Sequence, residues 1–111
     1  MSPRRRFHIA LGVADVALSV EDYSRRLGHS PDVVVPGEYA LWRTDIINLS
    51  IRRAPEGPGT LRHLGWEDES ATIFSENTDI NGIVWEVFSA AQQLREIHNS
   101  WPSAETSLKV E

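Results

Sequence analysis

The chain has 111 residues, 41% of them apolar and 24% charged, a balance that suits one soluble domain with a modest core and lies well away from disordered compositions. A net charge of −5 speaks against general affinity for nucleic acid, and the lack of cysteine excludes disulfides, thiolate metal sites and cysteine nucleophiles. No apolar stretch approaches a membrane span or a secretory signal, so no membrane partner and a cytoplasmic location are expected.

Arg4-Arg5-Arg6 is the one basic cluster, read either as a solvated lead-in to the first strand or as an anion contact. Phe7 to Val13 alternates, with Phe7, Ile9, Leu11 and Val13 on one face and His8, Ala10 and Gly12 on the other, which predicts a strand with two unlike faces. A helix follows, carried by Val16, Val20, Tyr23 and Leu27 and stopped by Gly28; Asp15 offers the N-cap, with Ser19 as an alternative cap and Asp22 in its capping-box position. Ser30-Pro31-Asp32 then breaks the chain. Val33 to Val35, Tyr39 to Arg43 and Ile46 to Arg52 predict a three-stranded meander, turned at Pro36-Gly37 and Thr44-Asp45. In its third strand Ile47, Leu49 and Ile51 share a face, leaving Asn48, Ser50 and Arg52 to line an open concavity.

Ala54 to Thr60 carries two prolines and two glycines and reads as a linker. Leu61 to Trp66 repeats the first strand weakly, with His63 in the central polar position that His8 holds before. Glu67 to Asp79 is acidic and poorly patterned, and both a short helix capped near Ser70 and a brief strand over Thr72 to Phe74 remain open. Asp79 to Gly82 is a turn, and Ile83 to Phe88 is a strand with Val84, Glu86 and Phe88 on one face. Ala90 to Trp101 predicts a helix with Leu94, Ile97, His98 and Trp101 on one side, ended by Pro102; Ser103 to Glu111 reads as a tail.

His8, His63 and Glu86 each stand on the polar face of an apolar strand. Taken alone, such a histidine is commonly a hydrogen-bonded structural residue, and such a glutamate is commonly solvated. Together, two imidazoles and one carboxylate can hold a divalent metal on one side and leave the opposite positions open. His29 beside the helix stop and His98 on the last helix lack that setting. Asn48, Ser50 and Arg52 are the candidate substrate contacts. Arg52 is preferred over Arg62, which alternation places on the face opposite His63, although a solvated strand-end charge remains the alternative for Arg52. The four tryptophans suit packing, a dimer contact or the walls of a pocket.

Four stretches, Phe7-His8-Ile9-Ala10-Leu11 with Val13-Ala14-Asp15, Tyr23 with Leu27-Gly28, Leu61-Arg62-His63-Leu64-Gly65, and Asp79-Ile80-Asn81-Gly82-Ile83-Val84-Trp85-Glu86, resemble the glyoxalase / bleomycin resistance protein / extradiol dioxygenase superfamily, the vicinal oxygen chelate fold. The resemblance implies an α+β domain over 1–111. A βαβββ module (5–53), a linker (54–60), a shortened second βα(β) module (61–101) and a tail (102–111) would together form a cup-shaped mixed sheet. It further implies metal ligation by His8, His63 and Glu86, with Fe(II) favoured and Mn, Ni or Zn as alternatives, dioxygenase-type or lyase chemistry on a chelating small molecule, and a homodimer that completes the cup. Ile80 stands where the family usually has proline, and residues 67–81 are too few for the helix and strands of a full second module. The rival expectation is a non-enzymatic small-molecule binding protein of the bleomycin-resistance kind, with an acidic, aromatic-lined cleft and no metal.

Overall fold

The computed structural model describes residues 4–106. Its elements run β1 (Arg5–Val13), α1 (Val16–Leu27), β2 (Val33–Val35), β3 (Tyr39–Arg43), β4 (Ile47–Arg53), β5 (Thr60–Asp68), β6 (Ser75–Thr78), β7 (Val84–Phe88), α2 (Ala90–Ser100) and β8 (Glu105–Thr106). All eight strands join one mixed sheet in the order β6-β7-β5-β1-β4-β3-β2-β8. β1 is central, parallel to β4 and antiparallel to β5, and β5 in turn is parallel to β7.

Local chemistry explains most boundaries. Asp15 caps α1 through its side chain, which accepts from Leu18 N, and Gly28 closes the helix in the left-handed conformation at φ 66° that glycine adopts without steric cost. β1 begins two residues before the predicted start, and β5 extends two residues beyond its predicted end. The antiparallel register sets Arg5 against Asp68 and Arg6 against Glu67, so opposite charges lie across from one another at the strand ends. Arg4 likewise reaches Asp45, so all three members of the basic cluster are engaged within the chain.

The acidic segment after β5 forms neither of the two predicted elements. Asp68 Oδ1 accepts from both the backbone N and the hydroxyl of Ser70, which bends the chain where a helix cap was expected. The strand forms later, at Ser75–Thr78, as an exposed edge. Within residues 102–111, Glu105–Thr106 pairs with Val33 and Val34 as the opposite edge; residues 107–111 lie outside the described chain.

The two faces of the sheet are covered differently. α1 packs on Val13, Ala40, Trp42 and Ile51, with Val16 as its own buried contact. α2 follows β7 through a Ser89–Gln92 capping box and crosses the other face, where Ile97 joins Val33, Tyr39 and Leu41.

The cup does not form. The sheet is open and not strongly curled, ending in β6 at one edge and β8 at the other. Beyond the end of β5, residues 69–81 supply one four-residue strand and no helix, so there is no second module to roll the sheet around. α2 lies across the face that a cup would leave open. The domain is α+β with a mixed sheet and two helices, and the resemblance to the glyoxalase / bleomycin resistance / extradiol dioxygenase superfamily fails at its architecture. No helix among the described residues is long and apolar enough to cross a membrane.

Candidate metal centre

The polar face under α2 gathers His8, His63 and Glu86 from three adjacent strands of one chain. The register aligns His8 of β1 with Gly65 of β5 and Gly65 with Glu86 of β7, while His63 sits two residues along β5 on the same face. One ligand atom from each residue lies within 4.8 Å of the others. His8 Nε2 and His63 Nε2 are 3.0 Å apart, His63 Nε2 and Glu86 Oε1 2.9 Å, and His8 Nε2 and Glu86 Oε1 3.8 Å. Donors at right angles around an ion, each about 2.1 Å from it, stand about 3 Å from one another. The spacing therefore suits a common divalent ion.

The tautomer of His8 follows from a buried chain of contacts. Glu67 receives Arg43 Nε at 2.6 Å, Arg43 Nη2 at 2.8 Å and Arg6 Nη1 at 2.8 Å. Burial alone would raise its pKa, but hydrogen bonds from Arg43 and Asn48 and the charges of both arginines outweigh that and hold the carboxyl below its ordinary value. An ionised carboxylate only accepts, so the Asn48 atom 2.9 Å from Glu67 Oε1 must be the amide nitrogen. Asn48 Oδ1 then faces His8 Nδ1 at 2.8 Å, with Asn48 O a second acceptor at 3.1 Å. Gln93 of α2 completes the network, accepting from Asn48 Nδ2 at 2.8 Å and donating to Asn48 Oδ1 at 3.1 Å. His8 Nδ1 must therefore carry the proton, and Nε2 turns its lone pair to the site.

Burial pushes the His8 imidazole below its ordinary pKa and His63 adds to that, against the opposing bond to Asn48 and the charge of Glu86. The neutral ring is the ligating form. Both His8 Nε2 and Glu86 Oε1 are acceptors aimed at His63 Nε2, which can offer at most one proton to the two of them. A cation satisfies all three donors at once, and so the donor set fits a metal.

Glu67 makes acid stability testable. With its folded pKa below the ordinary 4.5, its contribution is present above the unfolded value and fades as pH falls through the lower folded one. Urea unfolding from pH 7 to pH 3 should show stability declining below about pH 4.5, and Glu67→Gln should be less stable at pH 7 with a shallower acid limb. An acid limb identical in the two proteins would take Glu67 out of this role.

The triad opens on a cavity of about 190 Å³. Ser50 and Arg52, two of the three expected substrate contacts, line it. Asn48 does not: it is fully buried behind His8, because α2 covers the strand face that the sequence left open. The cavity also takes in Arg62, against the reading by alternation. A β-bulge between Ala10 and Leu11 pairs His63 with Ala10 and Leu61 with Leu11, so Arg62 is the extra residue and escapes the two-residue period. Tyr39 lies in the wall, its pKa raised by burial and its hydroxyl hydrogen-bonded to Ser50, so it stays a neutral phenol. Phe88 meets the His8 ring edge-on at 4.9 Å between centroids and stacks on Phe74 at 5.4 Å. Tyr39, Gln93 and Phe74 carried no individual signal in the sequence as site residues. His29 and His98 stand apart, bonded to Asp32 and to Ala104 O.

Among known proteins, no family model matches this chain and no curated sequence matches it. Function therefore rests on the chemistry of the site: a cluster of two histidines and one glutamate able to coordinate a metal ion beside a small cavity.

Proposed function

We propose that this chain is a metal-dependent enzyme acting on a small molecule, with a divalent ion held by His8, His63 and Glu86 and with Ser50 and Arg52 touching the substrate. The convergence of the three donor atoms within 4.8 Å on one cavity wall carries the reading. Fe(II) is favoured because two imidazoles and one carboxylate on one side of an ion are the donor set of non-haem Fe(II) centres with open positions; Mn, Ni and Zn accept the same donors. Such an ion supplies Lewis-acid or redox chemistry to an oxygen-bearing substrate, of the oxygenase or lyase type.

The chain's own groups do the rest. Asn48 and Glu67 orient His8, the buried Phe88 shields one edge of the His8 ring, and the neutral Tyr39 hydroxyl and Ser50 present hydrogen-bonding groups to a bound substrate. A metal-free binding protein is the second reading, supported by the aromatic walls that Phe74, Phe88 and Trp101 give the cavity.

Metal analysis separates the two. Protein purified without chelator, or reconstituted anaerobically, should hold close to one Fe, Mn, Ni or Zn per chain, and His8→Ala and Glu86→Gln should each lose it. Folded wild-type protein that takes up none of the four ions sinks the enzyme reading and leaves the binding protein.

A further inference from the structure

The triad forms one wall of the cavity, and two cations stand at its mouth. Arg52 near the end of β4 and the bulged Arg62 of β5 both border it, and each has an exposed side chain. The Arg52 guanidinium lies over the Trp101 ring, 5.0 Å from its centroid. Neither has an ion-pair partner among the described residues. Arg6 and Arg43, by contrast, close on Glu67, and Arg5 closes on Asp68. The field of Glu86 reaches Arg62, but that carboxylate is engaged by the histidines, and Glu96 at the rim is exposed. Arg52 and Arg62 also act on one another as like charges. Two guanidiniums left beside each other at a cavity mouth, in a chain with a net charge of −5, make a place that an anion would balance.

The cavity gives the scale of the body that fits against the triad. An apolar cavity of about 150 Å³ accommodates benzene, so about 190 Å³ admits a ring with one or two substituents. The stacked Phe74 and Phe88 and the indole of Trp101 suit an apolar body. We infer that Arg52 and Arg62 form an oxyanion subsite, and that the substrate is a compound of about ten non-hydrogen atoms with a carboxylate or phosphonate between the two guanidiniums and an oxygen directed at His8, His63 and Glu86. This rests on the reading of that triad as the reaction centre.

The test uses the full chain stripped of metal with chelator and then dialysed, with binding followed by calorimetry. Salicylate and phenylphosphonate are the probes, and salicylamide is the neutral counterpart of the first. At least one of the two anions should bind at least about tenfold more tightly than salicylamide, and Arg52→Gln and Arg62→Gln should each weaken that binding about tenfold. Which anion binds more tightly names the oxyanion class. Equal affinity for salicylamide and both anions, no binding of either anion, or unchanged binding in both variants overturns the subsite. Thermal melts confirm that the variants fold, and metal content is measured on the same preparations before stripping. Wild-type protein that holds metal but binds neither anion removes the subsite alone; wild-type protein that holds no metal but binds an anion through both arginines removes the metal reading alone.

Discussion

Gly65→Ala should destabilise the protein by about 3 kcal/mol or more and remove its capacity for metal. Gly65 lies in the register row between His8 and Glu86, the two ligands that must lean toward each other across β5. A Cβ there would overlap the Glu86 carbonyl oxygen and stand 2.9 Å from both the Glu86 carbonyl carbon and nitrogen. These are backbone atoms, so no side-chain rotation relieves the contact and β7 must move away from β5. That pairing also holds Leu64 against Trp85 and Trp66 against Val87, so the cost spreads along the strand and carries the Glu86 carboxylate off the histidines. Urea unfolding and metal analysis on one preparation check both halves. A variant within about 0.5 kcal/mol of wild type with full metal occupancy would mean that β7 is not held this closely.

The first half of the fold was legible because local chemistry punctuates it. Asp15 and Gly28 bracket α1, and Pro36-Gly37 and Thr44-Asp45 separate strands whose alternation is intact. The triad was legible for a related reason: a histidine or glutamate at the centre of an apolar strand stands out, and the face it takes follows from a period of two. Their meeting in one place was expected only from the family resemblance, because β7 reaches β5 by a parallel pairing that no local signal announces.

Arg62 shows the limit most sharply. Alternation placed it on the wrong face because a bulge consumes one residue of β5 without leaving a distinctive sequence mark. Asn48 was read as a substrate contact on a correct face assignment; only the packing of α2 over that face turns it into a buried partner of His8. Gln93 looked like any polar helix residue, and its importance arises wholly from where α2 lands. β6, with all four residues exposed, had no apolar pattern to betray it. The cup failed for a global reason. The order of elements resembled a two-module fold, but the length between Trp66 and Gly82 admits only an edge strand.

Asn48→Leu should weaken metal binding about 10–100-fold while leaving all three ligands in place. Leucine fills a similar volume, but its side chain offers nothing to Glu67 or Gln93 and leaves His8 Nδ1 only the longer contact to the backbone carbonyl of residue 48, at 3.1 Å, in a buried setting. Unmatched buried groups of this kind also cost the fold about 1–3 kcal/mol each, so a stability loss accompanies the change and cannot by itself establish the role. The tautomer can. In metal-free wild-type protein, nitrogen-detected NMR of the His8 ring should find the proton on Nδ1, because Glu67 fixes the Asn48 amide and the amide fixes the ring. Asn48→Leu should shift His8 toward the Nε2-protonated form, which blocks the ligating lone pair. Asn48→Asp keeps an acceptor for His8, so it should retain the Nδ1 proton even though a second carboxylate beside Glu67 lowers stability. Wild-type protein with the His8 proton on Nε2 would break the chain of orientation at its last link, and the triad would then read as a hydrogen-bonded cluster instead of a prepared metal site.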